Sequence, residues 1–169
     1  MLAALRVYEA AAKQQSFDKA LTILQPYTAN PLEFPLQVSD YITILYWQGK
    51  PDKALSFYES LPPSFPQRDY LLSNMARASY DLGRQHQAAV LYQKLLERHP
   101  DDADALEGLV RSLLAEEQNQ KAYDSLKKHP ELTNKNKQLQ GYEITSLMHL
   151  RHYAETLTLY DQVAAQYPS

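Results

Sequence analysis

Residues 91–95 read LYQKL and run on to His99-Pro100, and 68 residues later residues 159–163 read LYDQV and run on to Tyr167-Pro168. Both segments place apolar, aromatic and polar residue types in the same order before a proline. Proline ends a helix because it has no amide hydrogen and its ring clashes with the preceding turn. Two such segments so far apart indicate an internal repeat of helical units.

A small residue recurs at half that distance, 34 residues. The positions are Ala20, Ala54, Ala88 and Ala122, followed by Thr156. A large residue stands four places after each of them, namely Leu24, Tyr58, Tyr92, Leu126 and Tyr160. A small side chain lets two helices approach closely, and a large one on the same helix face fills the adjoining gap. The pattern predicts stacked helix pairs in which Thr156 packs less well than alanine.

Turn residues divide the repeats further. Gly49 and Gly83 suit a left-handed helix end, where other units carry Glu117 and Arg151. Pro62-Pro63 and Pro130 are expected to shorten the second helices of the second and fourth units. The pattern as a whole predicts helices over 2–14, 17–28, 36–48, 51–60, 69–82, 85–98, 103–116, 119–128, 136–149 and 153–166.

Together these residues resemble the tetratricopeptide repeat family over essentially the whole chain. The resemblance implies an all-α fold, a right-handed superhelix or solenoid of about five helix-turn-helix repeats. It places them in a single array over 1–169, with repeats at about 1–34, 35–68, 69–102, 103–136 and 137–169. Glu143 and Gln140 stand where the fifth repeat would carry apolar residues, so that repeat is expected to be a solvated cap or shifted by one residue.

The resemblance also implies a binding surface, because first helices of such repeats line a concave groove. The residues it assigns there as ligand-binding are Thr43, Tyr46, Trp47, Tyr70, Arg77, Tyr80, Asp81 and Arg111. Aromatic rings beside arginine and carboxylate side chains suit sugar rings or an extended peptide. The alternative is that each tyrosine only packs against neighbouring helices. Trp47 is the strongest candidate, since it is the only tryptophan and Val38 fills the position of the family's own tryptophan.

Composition restricts the possible functions. A formal net charge of -3 and a pI near 5.9 give no basic footprint for nucleic acid, and the absence of cysteine excludes disulfides and thiolate chemistry. No apolar run is long enough to span a membrane. His149 and His152 are interpreted as surface histidines, and Asp102 as a helix cap after Pro100. Phosphate loops and nucleophile motifs are missing, so the sequence predicts no enzyme, no cofactor and no metal site.

A narrower resemblance concerns residues 40–49, DYITILYWQG, followed by Asp52-Lys53 and Phe57-Tyr58. This run is similar to the periplasmic repeat region of poly-N-acetylglucosamine export porins of Gram-negative bacteria. The resemblance implies a periplasmic domain tethered to an outer-membrane barrel, with a polysaccharide or protein partner and a role in exopolysaccharide export. The alternative is a general peptide-binding or protein-binding adaptor, which would be cytoplasmic. An enzyme is a distant third interpretation.

Overall fold

The computed structural model describes residues 16–167, and within them the chain is all α-helical with no strand. The helices are α1 Phe17–Leu24, α2 Pro35–Trp47, α3 Pro51–Glu59, α4 Asp69–Asp81, α5 Gln85–Arg98, α6 Ala103–Ala115, α7 Asn119–Lys128, α8 Pro130–Thr133, α9 Lys137–His149 and α10 Tyr153–Gln166, with a 3-10 helix at Gln25–Ala29. The predicted all-α fold is confirmed. The helix predicted over 2–14, like Pro168, lies outside the described residues.

The chain divides into two compact units, Met1–Gly83 and Arg84–Ser169, each of which is described by itself. The first contains α1 to α4, and the second contains α5 to α10. In the first unit α2 packs against both α3 and α4, so a first helix contacts its own partner and the next first helix. The single continuous array over 1–169 stays a prediction.

The small-residue positions are buried as the repeat pattern predicts. Ala20, Ala54, Ala88 and Ala122 have no exposed surface, whereas Thr156 is half-buried. The Thr156 hydroxyl donates to the carbonyl of His152 at 2.9 Å, one turn back in the chain. The polar, branched side chain therefore satisfies itself locally, and the close helix approach seen at the alanines is not matched at this position.

Each first helix that is followed by a second helix ends on a residue with positive φ. Gly49 and Gly83 have φ of 76° and 73°, which confirms the predicted left-handed helix ends. Glu117 and Arg151, at the same place in later repeats, adopt φ of 58° and 63° although they carry side chains. The backbone path of the repeat therefore overrides the residue preference at these two junctions.

Prolines and caps act where the sequence places them. Helix α3 ends at Glu59 before Pro62, and α7 ends at Lys128 before Pro130, which itself begins the short helix α8. Asp102 caps α6, because its carboxylate accepts from the amide of Ala105 at 3.0 Å. The acidic residues after Pro100 thus include the predicted helix cap.

A glycine in the middle of α6 allows close packing between α5 and α6. Tyr92 of α5 is buried, and its ring occupies the space where a side chain at Gly108 would begin. A methyl group at Gly108 would overlap three ring carbons of Tyr92. The aromatic ring and the missing side chain therefore form one complementary contact.

The fifth repeat ends the described chain as a cap that keeps the repeat frame. Helices α9 and α10 pack together, and Glu143 occupies the buried position of α9, 3.5 Å from Lys127 Nζ. The buried Gln140 amide donates to the carbonyl of Asn134 at 3.1 Å and to Gln166 Oε1 at 3.0 Å. Of the two expectations for this repeat, the structure supports the cap, because polar partners accommodate these residues without a shift.

Candidate ligand-binding surface of the first unit

Three polar contacts join α2 to α4. Tyr70 donates to Asp40 Oδ1 at 3.0 Å, Asn74 donates to Thr43 Oγ1 at 3.4 Å, and Tyr46 donates to Asp81 Oδ2 at 3.3 Å. The α2 residues lie three apart, and residues at this spacing share one helix face. That face of α2 is therefore the one turned to α4, and four of the predicted ligand residues belong to it or to its partners.

The Asp40–Tyr70 contact lies deepest. Asp40 is buried, and burial raises the pKa of its carboxyl group, while the hydrogen bond from Tyr70 and the positive charge of Arg68 oppose that rise. Sequence reasoning missed Asp40 and Asn74 as members of this surface. The available signal was that these two polar residues stand 34 residues apart, at one position of the repeat.

A second cluster lies at the C-terminal ends of α2 and α4. Burial raises the pKa of the Tyr46 hydroxyl, the charge of Asp81 and its hydrogen bond raise it further, and Arg77 opposes the rise. Asp81 and Arg77 are exposed, while Tyr46 is half-buried. A fixed phenol thus orients an exposed carboxylate beside an exposed guanidinium, which gives acceptor and donor groups side by side.

Two further aromatic residues belong to the same helices. Trp47 ends α2 and is 45% exposed, next in sequence to Tyr46. Tyr80 is half-buried on α4, beside Asp81 in sequence. An exposed indole next to a polar cluster offers a flat apolar surface with hydrogen-bonding groups at its edge.

The structure places two predicted ligand residues elsewhere. Thr43 is only 2% exposed and accepts from Asn74, so its hydroxyl lies in the interior and supports the packing of α2 on α4. Arg111 lies on α6 of the second unit, where it forms an ion pair with Glu107 at 3.9 Å. The tyrosine hydroxyls of Tyr46 and Tyr70 also bond between helices, as the packing alternative expects.

The histidines and the hydrophobic helices were examined for other chemistry. His149 Nδ1 lies 3.0 Å from Asn119 Oδ1, and His152 Nδ1 lies 3.4 Å from Glu155. Between residues 16 and 167 no three histidine or acidic residues are grouped so that they could hold a metal ion. The helices of this part of the chain are all too short or too polar to cross a bilayer.

Comparison with known proteins follows from this geometry. Residues 70–102 match the model of the tetratricopeptide repeat family. MamA of Desulfovibrio magneticus RS-1 has a similar structure, with a TM-score of 0.77 and 13% identity over 97% of this chain and 92% of that one. Comparison with curated protein sequences gives no significant match.

Two other solved structures share the fold. A tetratricopeptide repeat protein of Parabacteroides merdae has a TM-score of 0.76 and 20% identity, over 98% of this chain and 66% of that one. A Podosopora anserina protein with nearly identical TPR-like repeats has a TM-score of 0.66 and 17% identity, over 99% and 98% of the two chains. Residues 70–102 are thus a tetratricopeptide repeat, and the chain has the all-α fold of tetratricopeptide repeat solenoid proteins.

Proposed function

We propose that this protein is a non-enzymatic interaction scaffold that binds an extended peptide segment of a protein partner on the α2–α4 surface. The observation that carries the proposal is the cluster of Tyr46, Asp81 and Arg77 beside the exposed ring of Trp47. An extended peptide presents unpaired amide and carbonyl groups along its length. Asp81 supplies an acceptor for the amides, and Arg77 supplies donors for the carbonyls.

The hydrogen bond from Tyr46 supports this role because it restrains the carboxylate that would meet the ligand. A side chain held in place before binding loses less conformational entropy when the complex forms. Trp47 adds apolar contact area at low entropic cost, as aromatic residues do at protein interfaces. The surface therefore combines a polar recognition group with one large aromatic anchor.

A second candidate function is the one implied by the resemblance to export porins, a periplasmic domain that handles poly-N-acetylglucosamine. The specific observation in its favour is the exposed indole of Trp47, since sugar rings stack on flat aromatic faces. This function would place the chain in the periplasm next to an outer-membrane barrel. The peptide-binding function is compatible with the cytoplasm as well.

Fluorescence of Trp47 tests both functions, because it is the only tryptophan of the chain. Peptides selected from a displayed random library are expected to shift its emission on titration. Asp81→Asn should weaken the selected peptides at least about tenfold, a loss typical of a hydrogen bond to a charged group. Asp52→Asn changes the net charge equally on the exposed surface of α3 and should leave the affinity unchanged.

The two functions separate on the choice of probe. A shift with glucosamine oligomers and none with peptides would favour the export function. If library selection enriches no peptide, and neither probe changes the Trp47 emission at millimolar concentration, the α2–α4 surface is not a ligand-binding site for either class.

A further inference from the structure

The last described helix exposes an apolar face. Tyr153, Leu157 and Tyr160 are 60%, 66% and 59% exposed, and α10 has no buried residue. These positions are four and three residues apart, so they lie on one side of the helix. Helix α10 contacts α9, and half-buried Thr156 and Val163 lie on a different side. The exposed face is therefore additional to the contact that holds α10 in the fold.

The repeat itself shows what environment Tyr160 would take in the interior of the stack. Tyr92 stands two repeats earlier at the same position, is 7% exposed, and packs against Gly108 of α6. A tyrosine at this position is thus compatible with being covered by protein. Leaving several large apolar side chains on one exposed face is costly in water and marks an interaction surface.

A cavity of about 570 Å³ lies in the same compact unit, between α5 and α7 and above the end of α6. Its apolar lining consists of Ala89, Val90, Leu109 and Leu113, of which Val90 is exposed. The lining residues of α5 follow one another at three and four residues, so the cavity is a groove along that helix. We call it the α5–α7 groove.

The charged rim of the α5–α7 groove favours an acidic ligand. Lys94, Lys121 and Lys128 line it, and their ammonium groups make no hydrogen bond or ion pair with residues 16–167. Its carboxylates are already bonded: Glu97 accepts from Gln93, Glu116 from Gln118, and Asp124 from Gln120. The rim therefore presents positive charge that has no partner within the described chain.

Helix α10 has complementary charge. Between Tyr153 and Gln166 the charged residues are Glu155 and Asp161, with no lysine or arginine. Asp161 follows Tyr160 directly, at the border of the exposed apolar face. Lysines stand near both ends of the α5–α7 groove, so the carboxylate of Asp161 can meet one in either helix direction.

We propose that the Tyr153–Leu157–Tyr160 face of α10 docks into the α5–α7 groove of a second copy of this chain. The dimensions agree. The face spans about 10 Å of helix, and the groove follows α5 from His86 to Glu97, about 16 Å, at 1.5 Å per residue. The contact joins two different surfaces, so it is head-to-tail and generates rings or open chains of copies. It is independent of the α2–α4 surface.

Mixing two variants of the full chain tests this contact. Leu157→Glu places a charge on the α10 face, and Val90→Glu places one in the groove; both sites are exposed, so the fold should persist, as circular dichroism would verify. In sedimentation velocity the wild-type mass should rise with concentration, while each variant alone should stay monomeric. An equimolar mixture should form dimers and stop there, because one intact face and one intact groove remain.

Control and contrary outcomes are defined by the same measurement. Leu36→Glu, at an exposed apolar residue of α2, should associate as the wild type does. Added salt should weaken the wild-type association, since lysine–carboxylate attraction is screened. A wild-type chain that stays monomeric at the highest soluble concentration overturns the proposal. So does association that Leu157→Glu abolishes and Val90→Glu leaves intact, which would mean that α10 pairs with another α10.

Discussion

Tyr92 and Tyr160 occupy the same position of the repeat, yet the interior of the second unit buries the first and its last helix exposes the second. The local sequences are nearly alike, LYQKL against LYDQV. The difference lies in what comes next in space: α6 with its Gly108 covers Tyr92, and no described helix covers Tyr160. A repeat position therefore specifies which residue faces the next helix, and the neighbour decides whether that residue stabilises the fold or binds elsewhere.

Alanine at the two tyrosines gives the largest expected contrast. Tyr92→Ala should lower the free energy of unfolding by about 3 kcal/mol, because a buried aromatic ring is lost and a cavity remains. Tyr160→Ala should change it by less than about 0.5 kcal/mol, as exposed substitutions do. Urea denaturation at low protein concentration measures both. Equal losses would mean that Tyr160 is covered by protein in the monomer.

Substitution of the receiving glycine gives a smaller effect with an informative sign. Gly108→Ala should cost about 1–3 kcal/mol through overlap with Tyr92, despite the better helix propensity of alanine. In a Tyr92→Leu background, which copies Leu24 and Leu126 of other repeats, the same change should become neutral or stabilising. Gly141→Ala in α9 meets open space and should stabilise by up to about 1 kcal/mol. A loss at Gly108 that persists without the ring would contradict the ring-in-glycine contact.

The left-handed junctions give the smallest effect and extend the comparison from interior to end. Glu117→Gly and Arg151→Gly should each relieve roughly 1 kcal/mol of backbone strain, since only glycine adopts positive φ freely. The gain at Glu117 should appear in global unfolding.

The gain at Arg151 should appear mainly as slower amide exchange in α10, which is held by α9 alone among the described helices. Gly83→Ala, where an added side chain would also meet open space, should cost a similar amount and serves as the control. Absence of any gain at Glu117 would show that the junction is not strained.

Helix placement was largely predictable from the sequence. The predicted ranges 85–98, 119–128 and 153–166 coincide with α5, α7 and α10, because prolines and positive-φ residues mark the ends at fixed places in each repeat. One predicted helix, 17–28, divides instead into α1 and a 3-10 helix. Pro26 lies at that division and cannot donate the amide hydrogen that a continuous helix would need.

The candidate surface was only partly predictable. Repeat spacing identified Tyr46, Arg77 and Asp81 on the first helices, and the structure brings them together. It did not identify which side chains bond across α2 and α4, so it missed Asp40 and assigned the buried Thr43 to a ligand. A helix period defines a face of one helix, whereas a contact also depends on the offset between two helices.

By itself, the sequence determined the all-α fold, the 34-residue period and the small residues that let helices approach, since these follow from local propensity and spacing along one chain. Tertiary structure alone decided that Tyr92 meets a glycine, that Glu143 finds Lys127, and that three lysines and a set of apolar residues enclose a groove. Those outcomes depend on side chains that are distant in sequence and become neighbours only when helices stack.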